Sequence, residues 1–169
     1  IIPYTYNNTI LKYICVDDIL NIEFDQQIKK NIIKIDYNNL IGNRILSHDH
    51  AMNLAIKVGE LGRITAPPNP WVGCIIVKNE IVIGVGYHYK AGQPHAEVNA
   101  INNAIKNGYS LKNSTMYVTL EPCSHYGKTP PCCNLLCDHK ISNVYIALKD
   151  PDIRVSGNGI KYLEDNNIN

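Results

Sequence analysis

Four residues have the types and spacing that metal-assisted hydrolysis needs: His95 and Glu97 in "PHAEVNA", and Cys123 and Cys132 in "EPCSHYGKTPPCC". Zinc in catalytic sites takes three protein ligands, commonly His nitrogen and Cys thiolate, and keeps its fourth position for water. His95, Cys123 and Cys132 supply such a set. In an H-x-E…P-C…C order the glutamate binds no metal and instead moves protons as water adds to an amine-bearing ring carbon. Glu97 stands at that position. Taken singly, each residue has a plainer reading, since a lone cysteine is a small buried hydrophobe and a histidine in a first turn is a cap. The order of the four together is what predicts a zinc ion held by His95, Cys123 and Cys132, with Glu97 as the catalytic group.

The chain must bring these residues together. Residues two apart on an ideal helix point in nearly opposite directions, so His95 and Glu97 converge only in a cap and first turn, and Pro94 suits such a start. Cys132 follows Pro130 and Pro131 at a second helix start, where the positive dipole end favours thiolate over thiol. Around these two starts the periodicity predicts a helix capped by Ser47 or Asp49, with Met52, Ala55, Ile56 and Gly59 inward and an end near Gly62. "GCIIVKNEIVIGVGYH" reads as a hairpin turning at Lys78-Asn79-Glu80, and "AEVNAINNAIKNG" as a helix with Ala96, Ala100 and Ala104 aligned. A strand "TMYVTLEP", the short helix after the prolines, a strand "NVYIALKD" and a helix "GIKYLEDNN" follow. This alternation predicts a three-layer α/β/α domain over residues 48–169. Residues 1–47 show no motif and read as an N-terminal extension, in which Ile28, Ile32, Ile33 and Ile35 suit a short helix or strand.

Composition narrows the partners. With 169 residues the chain is long enough for one core. Its formal net charge of +1, with no lysine or arginine stripe, points away from nucleic acid and anionic membranes. No apolar run approaches the length of a membrane span. Four of the six cysteines lie between Cys123 and Cys137, which leaves too few elsewhere to pair with them, so the expected setting is the reducing cytoplasm rather than a disulfide framework. Cys74, Cys133 and Cys137 are read as core packing, and His48 and His50 as solvated side chains near a helix start. The first residue is isoleucine, as expected of a fragment or processed product. No strand-turn-helix carries glycines at dinucleotide spacing, so no nicotinamide cofactor is expected.

"PPNPWVGCIIV", "GYHYKAGQPHAEVNAI", "YVTLEPCSHYGKTPPCC" and "ALKDPD" together resemble the deaminase domain of the bifunctional riboflavin-biosynthesis deaminase/reductase family. The similarity covers about residues 48–169. Cytidine and tRNA-adenosine deaminases share H-x-E and P-C but usually place two residues between the cysteines, whereas eight, "SHYGKTPP", separate Cys123 from Cys132 here. The resemblance implies a cytidine deaminase-like three-layer α/β/α sandwich around a mixed sheet. It also implies a small phosphorylated substrate, a diaminopyrimidinone carrying a ribosylamino phosphate, deaminated hydrolytically to the uracil. By residue matching, Asn69, His88, His125 and Lys128 would touch that substrate. A reductase, fused or separate, and a homo-oligomer are compatible with it. One loop departs from the family: "DPDIRVSGNG" has Asp152 and Ile153 where Asn and Pro are usual.

Two other readings stay open. The same chemistry could act on a free nucleoside or on RNA, although a base in RNA calls for a basic approach surface or stacking aromatics. Alternatively the zinc could only hold the fold, in which case four protein ligands would fill its shell and Glu97 would have no task.

Overall fold

The computed structural model of the chain describes residues 37–126, 130–152 and 156–169. The isoleucines 28, 32, 33 and 35 lie outside the described residues. Strands β1 (Gly73–Lys78), β2 (Ile81–Tyr87), β3 (Thr115–Leu120) and β4 (Asn143–Leu148) form one sheet in the order β2-β1-β3-β4. β1 runs antiparallel to both β2 and β3, and β3 runs parallel to β4. Three strands, β2, β3 and β4, therefore point the same way and deliver their carboxyl ends to one edge of the domain, where ligands of α/β sheets are commonly held.

Both faces of the sheet are covered, which is why β1 and β2 read as nearly continuous apolar runs. Alternate residues of β1 divide between two cores. Ile75 and Val77 pack with Ala51, Met52, Ala55 and Val58 of helix α1 (His48–Gly59). Cys74 and Ile76 face helices α2 (Ala96–Lys106), α3 (Cys132–Asp138) and α4 (Asn158–Asp165). The result is the α/β/α sandwich around a mixed sheet that the sequence predicts. Ser47 caps α1 by accepting from the His50 backbone N–H. Val58, rather than Ile56, completes the buried stripe, and the helix tightens into a 3-10 turn at Glu60–Gly62. The hairpin turns on two residues, Asn79 and Glu80, both at positive φ of 50° and 64°, while Lys78 already pairs with Ile81.

The segment before α1 also contributes. Gly42 N–H donates to the Val82 carbonyl, Val82 N–H to Asn43 and Ile45 N–H to Glu80, so this stretch lines the outer edge of β2. Ile45 is buried against α1, and Arg44 pairs with Glu80 at 2.7 Å on the surface.

One packing contact sets the position of α2. Ala96, Ala100 and Ala104, all fully buried, lie on β2, where Gly84 and Gly86 offer bare backbone. A Cβ on Gly86 would come within 2.3 Å of Ala100 N and of Ala96 O. Small residues on both sides let the helix backbone lie directly on the strand, which fixes where its first turn emerges. Overpacked cores typically lose about 1–3 kcal/mol. Gly86→Ala is therefore expected to lower unfolding free energy by about 1–3 kcal/mol, read from the denaturant midpoint. A midpoint equal to that of the parent would mean that α2 shifts off β2 without cost.

Candidate active site

The carboxyl ends of β2, β3 and β4 and the starts of α2 and α3 converge on a pocket. Its lining includes Asn69, His88, His95, Glu97, Glu121, Cys123, His125 and Asp150. His95 is the N-cap of α2, with extended backbone (φ −70°, ψ 167°), and Glu97 lies in the first helical turn. That break in helical geometry is what lets residues two apart face one pocket. Nδ1 of His95 lies 3.6 Å from Cys123 Sγ and 3.4 Å from Cys132 Sγ. The three ligand atoms all fall within 4.8 Å of one another.

Their electrostatics suit a divalent cation. The Cys123 thiol is depressed to about 4, chiefly by the hydrogen bond from the Cys132 thiol and further by His95 and the Cys132 backbone N–H, 3.3 Å away. His95 is raised in return, first by its hydrogen bond with Cys123. The start of α3 therefore stabilises negative charge on the Cys123 sulfur, through the Cys132 N–H. The first amide of α3 points at the neighbouring sulfur, and the Cys132 thiol is held up by sharing its proton with that thiolate and by burial. His95, Cys123 and Cys132 would hold a divalent cation with both sulfurs as thiolates, the form in which cysteine ligates metal. A soft N/S donor set of this geometry fits zinc.

Glu97 is 4% exposed, and burial raises its carboxyl above the usual range. A carboxyl displaced upward holds a proton more readily than an exposed one, which suits a group that takes up a proton and passes it on.

Asn69 and His88 are joined by a hydrogen bond of 3.1 Å between Asn69 Nδ2 and His88 Nε2. With Nδ1 donating to the Pro94 carbonyl at 3.1 Å, both ring nitrogens of His88 are engaged. The ring stands edge to face with His95, centroids 5.5 Å apart. His125 is exposed at the pocket rim. Lys128 lies outside the described residues.

The remaining cysteines and histidines lie elsewhere. Cys74 and Cys133 are fully buried, and Cys137 is half-buried on α3. His48, exposed, is bracketed by two hydroxyls, with Nδ1 2.8 Å from the oxygen of Tyr117 and Nε2 3.4 Å from that of Tyr145. His50 Nδ1 accepts from the Leu46 backbone. Two pocket residues carried no signal in the sequence reading, Glu121 and Asp150. Glu121 lies two residues before Cys123, and a carboxylate so near a candidate ligand at a strand end was the available clue.

Comparison with known proteins bears on the chemistry. Residues 46–148 match the family model of the cytidine and deoxycytidylate deaminase zinc-binding region. The chain is 55% identical over 117 residues to the riboflavin biosynthesis protein RibD of Chlamydia pneumoniae, covering 69% of this chain and 30% of that protein. It is 50% identical over 117 residues to the diaminohydroxyphosphoribosylamino-pyrimidine deaminase of Buchnera aphidicola subsp. Schizaphis graminum, covering 69% of this chain and 78% of that one. A solved diaminohydroxyphosphoribosylaminopyrimidine deaminase/5-amino-6-(5-phosphoribosylamino)uracil reductase from Thermotoga maritima superposes with a TM-score of 0.67 at 43% identity, covering 70% of this chain and 34% of that one. The chain thus spans about a third of the length of the Chlamydia and Thermotoga proteins.

The ligand set has a direct test. Purified protein is expected to carry about one zinc per chain by elemental analysis, because a catalytic N/S site takes a single ion. Cys123→Ser and Cys132→Ser should each lose it. Full occupancy in both variants would rule these sulfurs out as ligands.

Proposed function

We propose that this chain, which belongs to the family carrying the cytidine and deoxycytidylate deaminase zinc-binding region, performs the deaminase step for which its riboflavin-biosynthesis relatives are named. Its substrate is then a diaminopyrimidinone bearing a ribosylamino phosphate, and its products are the corresponding uracil and ammonia. The observation that carries the reading is the buried Glu97 carboxyl opening on the same pocket as the cluster of His95, Cys123 and Cys132. A metal site that served only the fold would leave that carboxyl without a task.

His95 Nδ1 and the sulfurs of Cys123 and Cys132 would hold the zinc, which when bound would supply a Lewis acid that lowers the pKa of water toward neutrality. Glu97 accepts the proton of the attacking water and delivers it to the ring nitrogen beside the amine-bearing carbon. It then takes the second proton, from the hydroxyl now on the ring carbon, and gives it to the departing amine, so that C–N cleavage releases ammonia and leaves a carbonyl. Burial suits Glu97 to both halves of this cycle.

Recognition falls to the rim. Asn69 spends an amide hydrogen on His88, so its carbonyl oxygen is what remains for a ring or exocyclic N–H. His88 holds Asn69 in that orientation and adds its ring edge to the pocket. His125 and Lys128, in the eight-residue insert between the cysteines, are assigned to the ribose phosphate. The catalytic domain is assigned to residues 48–169, with 1–47 an extension of unassigned role. A reductase partner, fused or separate, would consume the product, and the expected setting is the cytoplasm.

Steady-state kinetics on the phosphorylated pyrimidine and on cytidine test this reading. The phosphorylated pyrimidine should be turned over in strong preference to cytidine, and Glu97→Gln should keep its zinc while losing turnover on the order of 10²–10⁴-fold, the usual contribution of one acid–base group. Preference for cytidine, or near-normal turnover in Glu97→Gln, would overturn it. Lys128→Ala is expected to weaken the phosphorylated substrate by about 1–3 kcal/mol, less at high salt, and to leave a dephosphorylated analogue unaffected. Equal losses for both substrates would withdraw the phosphate assignment.

A further inference from the structure

One buried carboxylate takes no part in the proton transfers assigned to Glu97. Glu121, 6% exposed, follows the last residue of β3 and precedes Pro122 and Cys123. Its Oε2 accepts the backbone N–H of Asp150 at 3.1 Å and of Gly157 at 2.9 Å. Its Oε1 accepts those of Gly159 at 2.9 Å and Ile160 at 3.4 Å. A carboxylate offers about four lone-pair sites, and backbone amides take them all. Three of the donors belong to the cap and first turn of α4, and the fourth belongs to the pocket wall. The close approach needs Gly159, where a Cβ would come within 2.1 Å of the Pro122 carbonyl and 3.1 Å of Glu121 Oε1. The Cys133 thiol bonds to that same carbonyl at 3.4 Å.

We propose that Glu121 is a positioning residue for substrate binding, which holds the backbone of Asp150, and with it one wall of the pocket, at a fixed place relative to Cys123. The inference rests on the deaminase reading and deepens it. The Asp150 carboxylate, whose Oδ1 already accepts the Asp152 N–H at 2.9 Å, leaves Oδ2 on the pocket wall to accept from an N–H or O–H of a phosphoribosylated aminopyrimidine, whereas the proton transfers need only Glu97. Loss of the brace should therefore fall on KM rather than on kcat. Glutamine cannot replace the brace, because its NH₂ would face N–H donors and at least two of the four bonds would be lost.

The test is a cycle of wild type, Glu121→Gln, Asp150→Ala and the double variant on the phosphorylated pyrimidine, with zinc content measured in each. Glu121→Gln should keep its zinc and hold kcat within about threefold while KM rises about tenfold. In the Asp150→Ala background the added rise should vanish, because a residue that acts through another adds nothing once the other is gone. An additive rise in KM, or a fall in kcat with loss of metal, means that Glu121 supports only the fold or Cys123 and overturns the assignment. Should Glu121→Gln fail to fold, Glu121→Asp, which keeps the charge but shortens the reach, runs the same cycle with the same deciding outcomes. Wild-type protein that turns over no phosphorylated pyrimidine sinks the deaminase reading itself, a failure visible before any variant is made.

Discussion

Three ligand atoms carried by two helix starts and a strand end have to meet within 4.8 Å, and most of the domain serves that constraint. His95 is fixed because α2 lies on the bare backbone of β2, with Ala96 and Ala100 against Gly84 and Gly86. Cys132 is fixed by the start of α3, whose Cys133 N–H donates to the Cys123 carbonyl at 3.2 Å. Cys123 is reached from β3 through Glu121 and Pro122, and Glu121 is itself tied to β4 by its backbone N–H on the Leu148 carbonyl. Side chains as small as alanine and glycine recur where elements must approach closely, and residues with ionisable groups cluster where they converge. The fold is thus tight exactly where tolerance in the ligand geometry is smallest, since soft-metal sites allow distances to vary by only about 0.2 Å.

Such convergence has an electrostatic cost, because a thiolate, a second thiol, an imidazole and a carboxyl are packed with little water. The protein disperses it by sharing protons. The Cys132 thiol and His95 lower the Cys123 thiol, while burial keeps the Glu97 carboxyl above its usual range. A divalent cation would satisfy the same cluster differently, by taking both sulfurs as anions, and on the proposed reading Glu97, outside the ligand set, is the group left to exchange protons. Proposed chemistry and proposed metal binding thus draw on one arrangement but on different members of it.

Much of this was legible in the sequence. The apolar runs of β1 and β2, the alanine repeat of α2 and the Ser47 cap each have a local cause that the sequence pattern exposes. The H-x-E and P-C signals marked out residues that the structure brings together, in the side-chain types that metal ligation would demand. Other features depend on partners far along the chain. Glu121 looks like the end of a strand until the amides of Asp150 and Gly159 are brought to it, 29 and 38 residues away. The first N–H of α3 points at the Cys123 sulfur, a contact that no dipole argument made on Cys132 alone can give. The packing of Ile45 and the pairing of Asn43 with Val82 likewise arise only once β2 has an exposed edge to cover.

The pocket divides its labour along the same lines as the chain. The residues proposed for proton transfer and metal ligation sit on α2, α3 and the end of β3, elements locked by backbone contacts. The remaining polar groups, Asn69, His88, His125 and Asp150, come from the segments that follow α1, β2, β3 and β4. A connecting segment can change length or residue type without moving the helix starts, so substrate preference can vary while the proposed reacting centre stays in place. The stretch between Cys123 and Cys132 is a special case, because it is a connection whose two ends are both proposed ligands. Lengthening it brings polar groups to the reacting centre without adding an anchor point, and the loop-closure entropy of the extra residues grows only slowly with their number. A longer link between the two sulfurs is therefore a low-cost way to add a recognition element beside a metal whose geometry must not change.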